Sequence, residues 1–133
     1  MHSAPQSLKF TLREEKDERA YAEARAAGTL PPCRYCVVKN VVKEYEHFLV
    51  MENDFPYSRI AKINHMLSPK RHVASFYELN DAERLELEQI YVHMDRGTAD
   101  GTLPPYDQII KNTTRNMTIP GHVHLHLIQF RDS

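Results

Sequence analysis

The chain has 133 residues, 41% of them apolar and 26% charged, with 17 basic against 18 acidic side chains. That length suits one domain with a real core, and the mix argues against disorder. A formal net charge of −1 argues against a protein that coats duplex nucleic acid, and no run of 18 apolar residues offers a membrane span. The first twelve residues lack an apolar stretch bounded by a cleavage site, so a cytoplasmic location is expected.

In chain order, residues 13–27 are rich in helix formers, with Glu15 and Arg19 at i,i+4 spacing. Gly28 stops this helix, and Pro31 and Pro32 prevent its restart. Its apolar face is mostly alanine, which predicts a peripheral helix. Two cysteines follow as Cys33-x-x-Cys36, a spacing that reads as a metal clip or a redox pair. Strands are predicted over 37–42 and 45–51. In the second, Tyr45, Leu49 and Met51 share one face and Phe48 and Val50 the other. A loop over 53–57 leads to a short strand, 64–67, that ends before Pro69.

Residues 80–96 form the best helix. Asn80 and Glu83 make a capping box, and Leu87, Ile90, Tyr91 and Met94 give one apolar stripe. A strand over 107–112 and a last strand over 122–130 complete the pattern. The order predicts an α+β fold: about five strands in a mainly antiparallel sheet, one core helix and an extra N-terminal helix.

The last strand carries the chemistry. In Gly121-His122-Val123-His124-Leu125-His126-Leu127 the residue types alternate strictly. On a strand, side chains two apart lie about 6.5–7 Å apart on one face. His122, His124 and His126 therefore share a face, while Val123, Leu125 and Leu127 can enter a core. Three imidazoles in a row are hard to explain as packing, because each ring needs partners when buried. A solvated histidine face or a structural metal site are the other readings. Tetrahedral zinc needs four ligands and the cysteines offer two, so one histidine on the metal with two left for chemistry is the economical division.

The run His122 to Ile128 resembles the signature of the histidine triad (HIT) family of nucleotide hydrolases and transferases. So does the upstream segment, with Asn53-Asp54-Phe55-Pro56-Tyr57, His65-Met66-Leu67 and Pro69-Lys70-Arg71-His72. The cysteine pair is similar to the zinc-binding, Hint-like branch of that family. The resemblance spans Cys33 to Ile128 of an expected single domain, with residues 1–32 as a helical extension.

The resemblance implies a HIT-like fold and attack by His124 on the α-phosphate of a nucleoside phosphate anhydride, ester or phosphoramidate. A covalent nucleotidyl-histidine intermediate follows, as in phosphoramidases and dinucleoside polyphosphate hydrolases. It implies His126 on the phosphate oxygens and His65 lining the same pocket. Nucleotide contacts are implied at Asn53, Asn112 and Thr118. Cys33, Cys36, His72 and His122 would hold a structural zinc ion. The implied partners are a nucleotide, with purine the expected base, and a second copy of the chain in a homodimer. A zinc-stabilised nucleotide-binding module with little catalysis is the alternative.

Two positions and one added element depart from the family pattern. Ile119 stands where a serine or threonine commonly donates to the leaving group, with Thr118 beside it. Asn64 stands before His65 where a glycine is common. The N-terminal helix is an addition, expected to cover the metal side or a subunit interface.

Overall fold

A computed structural model describes residues 11–28, 33, 35–96, 102–113 and 122–132. Five strands form one sheet: β1 (Val41–Glu44), β2 (Phe48–Glu52), β3 (Ala61–Pro69), β4 (Gln108–Ile110) and β5 (Leu125–Phe130). Their order is β1-β2-β3-β5-β4, and every neighbouring pair is antiparallel. Two helices, α1 (Glu15–Ala27) and α2 (Asp81–Arg96), accompany the sheet. This is the expected α+β architecture.

The alternation in the strands divides the sheet into two unlike faces. Phe48, Val50, Leu67, Leu125 and Leu127 point to one side and pack with Leu87 and Ile90 of α2, joined by Val73, Leu79, Leu103 and Val123. Leu49, Met51 and Met66 point to the other side, where Tyr35 covers them. Leu127 has no exposed surface, and burying a side chain of this kind contributes about 1.5–3 kcal/mol.

Helix α2 begins with the reciprocal cap read from the sequence. The Glu83 backbone N–H donates to Asn80 Oδ1 at 2.8 Å, and the Asn80 N–H donates to Glu83 Oε1 at 2.9 Å. Glu83 has a second partner, Arg71, whose Nη2 lies 2.8 Å from Oε1. The cap therefore also ties the helix to the turn that follows β3. Helix α1 ends at Gly28, whose φ of 68° is the left-handed conformation that glycine adopts without strain.

Element boundaries differ from expectation for identifiable reasons. The first strand starts at Val41 because Asn40 takes a left-handed φ of 54° and breaks the extended run; Val37 and Val38 are exposed. Strand β3 runs from Ala61 through Pro69, well beyond the expected 64–67, because β2 and β5 pair with it on its two edges. Tyr45 lies in the turn before β2, outside its alternation, and packs with the Phe48 cluster. The strand expected over 107–112 contracts to β4. Strand β5 starts at Leu125, because the Val123 N–H leaves the ladder to donate to Val73 O at 2.9 Å.

Helix α1 is peripheral, with Tyr21 its buried residue. Its contacts go to the loop between β2 and β3. Arg13 Nε donates to Phe55 O at 2.7 Å, the Glu14 N–H donates to Ser58 Oγ at 2.9 Å, and the Tyr21 and Phe55 rings meet edge to face.

The Glu83 carboxyl sits below its ordinary range. The Arg71 hydrogen bond is the main cause, opposed by burial and assisted by the Asn80 N–H. A depressed acid contributes stability that is present above its unfolded pKa and lost as pH falls through the folded one. Glu83→Gln is expected to lower stability at pH 7 by about 1–3 kcal/mol, toward the low end because Arg71 is half exposed. Urea unfolding at neutral and acid pH measures this, and the gap between wild type and variant should narrow in acid.

Candidate active site and metal cluster

Four of the predicted ligands converge from three parts of the chain. Cys33 and Cys36 come from the arm before β1, His72 from the turn after β3, and His122 from the approach to β5. The His122 Nδ1 lies 3.1 Å from Cys33 Sγ and 3.5 Å from Cys36 Sγ. The His72 Nδ1 lies 3.5 Å and 3.2 Å from the same two sulfurs. All four donor atoms lie within 4.8 Å of one another, so the cluster could hold a metal ion. Two thiols and two imidazoles are a donor set suited to a tetrahedral ion. The outer contact of His122 fits as well. Its Nε2 lies 2.8 Å from the Pro69 carbonyl, an acceptor, so the proton sits on Nε2 and Nδ1 is bare toward the sulfurs. Both cysteines are free thiols.

The other two triad histidines follow on the same face. His124 and His126 are each 2% exposed, and their rings lie 5.3 Å apart. Burial is the main cause that lowers the His124 pKa to about 4, with His122 adding to the shift and the His122 carbonyl opposing it. Burial likewise lowers His126 to about 3, assisted by His124 and Arg13. Both rings are neutral near pH 7. His124 Nδ1 lies 3.3 Å from the His122 carbonyl. The Nε2 atoms of His124 and His126 are buried without a hydrogen-bond partner among the described residues. Two bare polar atoms in so small a volume mark a place where a polar ligand would be bound.

Two tyrosines flank these rings. Tyr35, inside the Cys33–Cys36 turn, stacks on His124 with centroids 4.6 Å apart. Tyr57, from the loop after β2, stacks on His126 at 4.1 Å. Arg13 lies over the Tyr57 ring, with its guanidinium carbon 5.3 Å from the centroid. The N-terminal segment thus reaches the triad through Tyr57.

His65 does not line this pocket. In the β3–β5 register His65 pairs with Leu127 and Met66 pairs with His126. Paired residues share a face, so His65 belongs to the core face shared with α2. There its Nδ1 meets the Tyr106 hydroxyl, and burial lowers its pKa against an opposing pull from Glu52. The residue on the triad face is its neighbour Asn64. Asn64 Oδ1 accepts from Asn53 Nδ2 at 3.0 Å and from the Tyr57 N–H at 2.9 Å. Asn64 Nδ2 lies 3.1 Å from His65 O and 3.4 Å from His126 Nδ1.

Among the predicted nucleotide contacts, Asn53 bonds Asn64 and accepts the Phe55 N–H at 2.9 Å. Asn112 donates to the Tyr57 hydroxyl at 3.0 Å. Thr118 and Ile119 lie outside the described residues. Sequence reasoning missed Asn64, Tyr35 and Tyr57. For Asn64 a signal existed in the pleat: it is in phase with Met66 and Ser68, but the partner register that gives the phase meaning is not written in the chain.

Among solved structures the chain is similar to a HIT family hydrolase from Legionella pneumophila Philadelphia 1, at 24% identity over 82% of this chain and 90% of that one, with TM-score 0.52. It is similar to a histidine triad protein from Clostridium difficile at 19% identity, over 83% and 88%, with TM-score 0.51. It also resembles a hypothetical histidine triad nucleotide-binding protein from Sulfolobus tokodaii strain7 at 20% identity, over 75% and 73%, with TM-score 0.53. The chain therefore has the histidine triad fold. No protein-family model and no curated protein matches it. Among the described residues no helix is long and apolar enough to cross a membrane.

The cluster makes a direct prediction. Purified protein should carry one equivalent of metal by elemental analysis, and Cys36→Ser should lose most of it. Chelation should lower the melting temperature of the wild type but not of the variant, because metal affinity and folding are coupled.

Proposed function

We propose that this chain is a histidine triad enzyme that cleaves a nucleoside phosphate at its α-phosphate through a covalent adduct on His124. The observation that carries this reading is the His124 ring. Its Nδ1 faces a carbonyl, which can only accept, so the proton resides on Nδ1 and Nε2 presents a lone pair. That bare atom is buried beside a second imidazole nitrogen that has no partner among the described residues.

In this reading His124 Nε2 attacks the α-phosphorus and forms a P–N bond. The bond from phosphorus to the leaving group breaks, and the leaving group departs with the electron pair and then takes a proton. Water next attacks phosphorus, the P–N bond breaks, and its electron pair returns to His124. A nucleoside monophosphate is released after the water gives up its proton. An acceptor other than water would make the same chain a transferase. Splitting one difficult substitution into two is the advantage of the covalent route. The resemblance assigns His126 to hydrogen-bonding the phosphate oxygens as charge builds on them. Asn53, Asn112 and Thr118 are assigned to nucleotide contact by the resemblance, with a purine as the expected base.

The metal cluster fits a structural zinc ion held by Cys33, Cys36, His72 and His122. When bound, the ion supplies a crosslink between the N-terminal arm, the turn after β3 and the start of the catalytic strand. Cys33, Cys36, His72 and His122 set the position of His124 two residues on. Free thiols in such a cluster suit a reducing compartment, as the cytoplasm is. Exposed Leu85 and Val92 on α2 suit a homodimer through that helix.

A second reading, a nucleotide-binding module with little catalysis, is favoured by the near-complete burial of both rings. One experiment separates the two. Nucleoside phosphoramidates and dinucleoside polyphosphates are offered to wild type and to His124→Ala, with intact-mass detection of a trapped nucleotidyl adduct. The enzyme reading expects turnover and an adduct in the wild type. His124→Ala should lose several orders of magnitude in rate with nucleotide affinity retained, and His126→Ala about 10²–10³-fold in kcat. Full turnover by His124→Ala overturns the nucleophile. Nucleotide binding without cleavage of any substrate favours the second reading.

A further inference from the structure

A neutral histidine carries one proton on either of two nitrogens, and the partner of one nitrogen decides the state of the other. For His126 that partner is Asn64, whose amide nitrogen lies 3.4 Å from Nδ1. An asparagine side chain can face a ring with its oxygen or its nitrogen, and the surrounding bonds settle which.

The Tyr57 backbone N–H can only donate, and it meets the Asn64 amide at 2.9 Å. The atom facing it is therefore Oδ1. Asn53 agrees. Its own oxygen is claimed by the Phe55 N–H, so its nitrogen is what reaches Asn64 Oδ1 at 3.0 Å. With the oxygen oriented by two donors, Asn64 Nδ2 faces the opposite way, toward the His65 carbonyl at 3.1 Å and the His126 ring. The carbonyl takes one of its two hydrogens, and the other is available to His126.

We infer that Asn64 is a positioning residue that sets the tautomer of His126. Its amide N–H donates to Nδ1, so the ring proton resides on Nε2, and Nε2 is a hydrogen-bond donor toward the phosphate. This rests on the catalytic reading above and deepens it. The two buried rings then carry opposite tautomers. His124, bonded through Nδ1 to a carbonyl, offers a lone pair at Nε2. His126, bonded through Nδ1 to an amide donor, offers a proton at Nε2. One atom attacks phosphorus, and its neighbour holds a phosphate oxygen. Two bare lone pairs would instead repel the anionic substrate. The chain Phe55–Asn53–Asn64–His126 carries this information from backbone to ring, so the loop after β2 helps to set the tautomer of His126.

Long-range ¹H–¹⁵N correlation spectra of the full-length, metal-loaded protein at neutral pH test this. The expected result is a protonated Nε2 and a bare Nδ1 for His126, with the reverse for His124. A His126 ring protonated at Nδ1 overturns the inference, and the wild-type spectrum alone decides that. In Asn64→Asp the group facing Nδ1 becomes an acceptor, so the His126 Nδ1 should gain a proton. An unchanged pattern in the folded variant also overturns the inference. The two readings fail separately. Opposite tautomers with no cleavage and no adduct would leave the assignment standing and sink the catalytic reading. Cleavage with a proton on His126 Nδ1 would do the reverse.

Discussion

The register of β3 against β5 decides which side chains share a face with the triad. Met66 lies opposite His126, so Asn64 joins the histidine face and His65 joins the core. A slip of one residue would exchange them, because the pleat has a period of two. It would also send Leu125 and Leu127 out of the core cluster and bury the histidines against α2. The apolar side of the strand therefore holds the polar side in place. Leucines that are at most 2% exposed keep His124 and His126 on their face.

Around that register the fold places several constraints on one short segment. The Cys33–Cys36 arm meets His122 and also carries Tyr35, which stacks on His124. The turn after β3 contributes His72 to the cluster and Arg71 to the capped start of α2. The N-terminal segment braces the loop that carries Tyr57 onto His126. Each contact is modest alone. Together they orient two imidazoles whose outward nitrogens have no partner among the described residues. The arrangement accepts an unsatisfied polar pair in the interior, which a merely structural sheet would avoid.

Much of this was legible in the chain. The α2 cap, with Asn80 and Glu83 three apart, and the Gly28 stop of α1 are local signals, and both appear where expected. The alternation of histidine with valine and leucine placed His122, His124 and His126 opposite the core because it needs no partner to be read. The four cluster residues were nameable because their chemistry is unusual and the family resemblance paired them. Boundaries were harder. Asn40 ends an apparent strand through a left-handed backbone, and β3 outgrows its apolar run because two neighbours bond to it.

Asn64 and His65 mark the limit of that reading. Composition and motif pointed to the histidine, since an imidazole looks like chemistry and an asparagine looks like a loop. The strand determined by itself that the two face opposite ways. It could not say which way, since that depends on hydrogen bonds to a segment some sixty residues later in the chain. The sequence by itself determined the fold class and the histidine face, because those follow from local period and side-chain chemistry, while the cluster residues were named through the family resemblance. The tertiary structure alone decided which neighbour enters the site and which tyrosines flank it. Strand register and loop packing are relations between distant segments, set by the balance of many burial and hydrogen-bond terms rather than by any one residue.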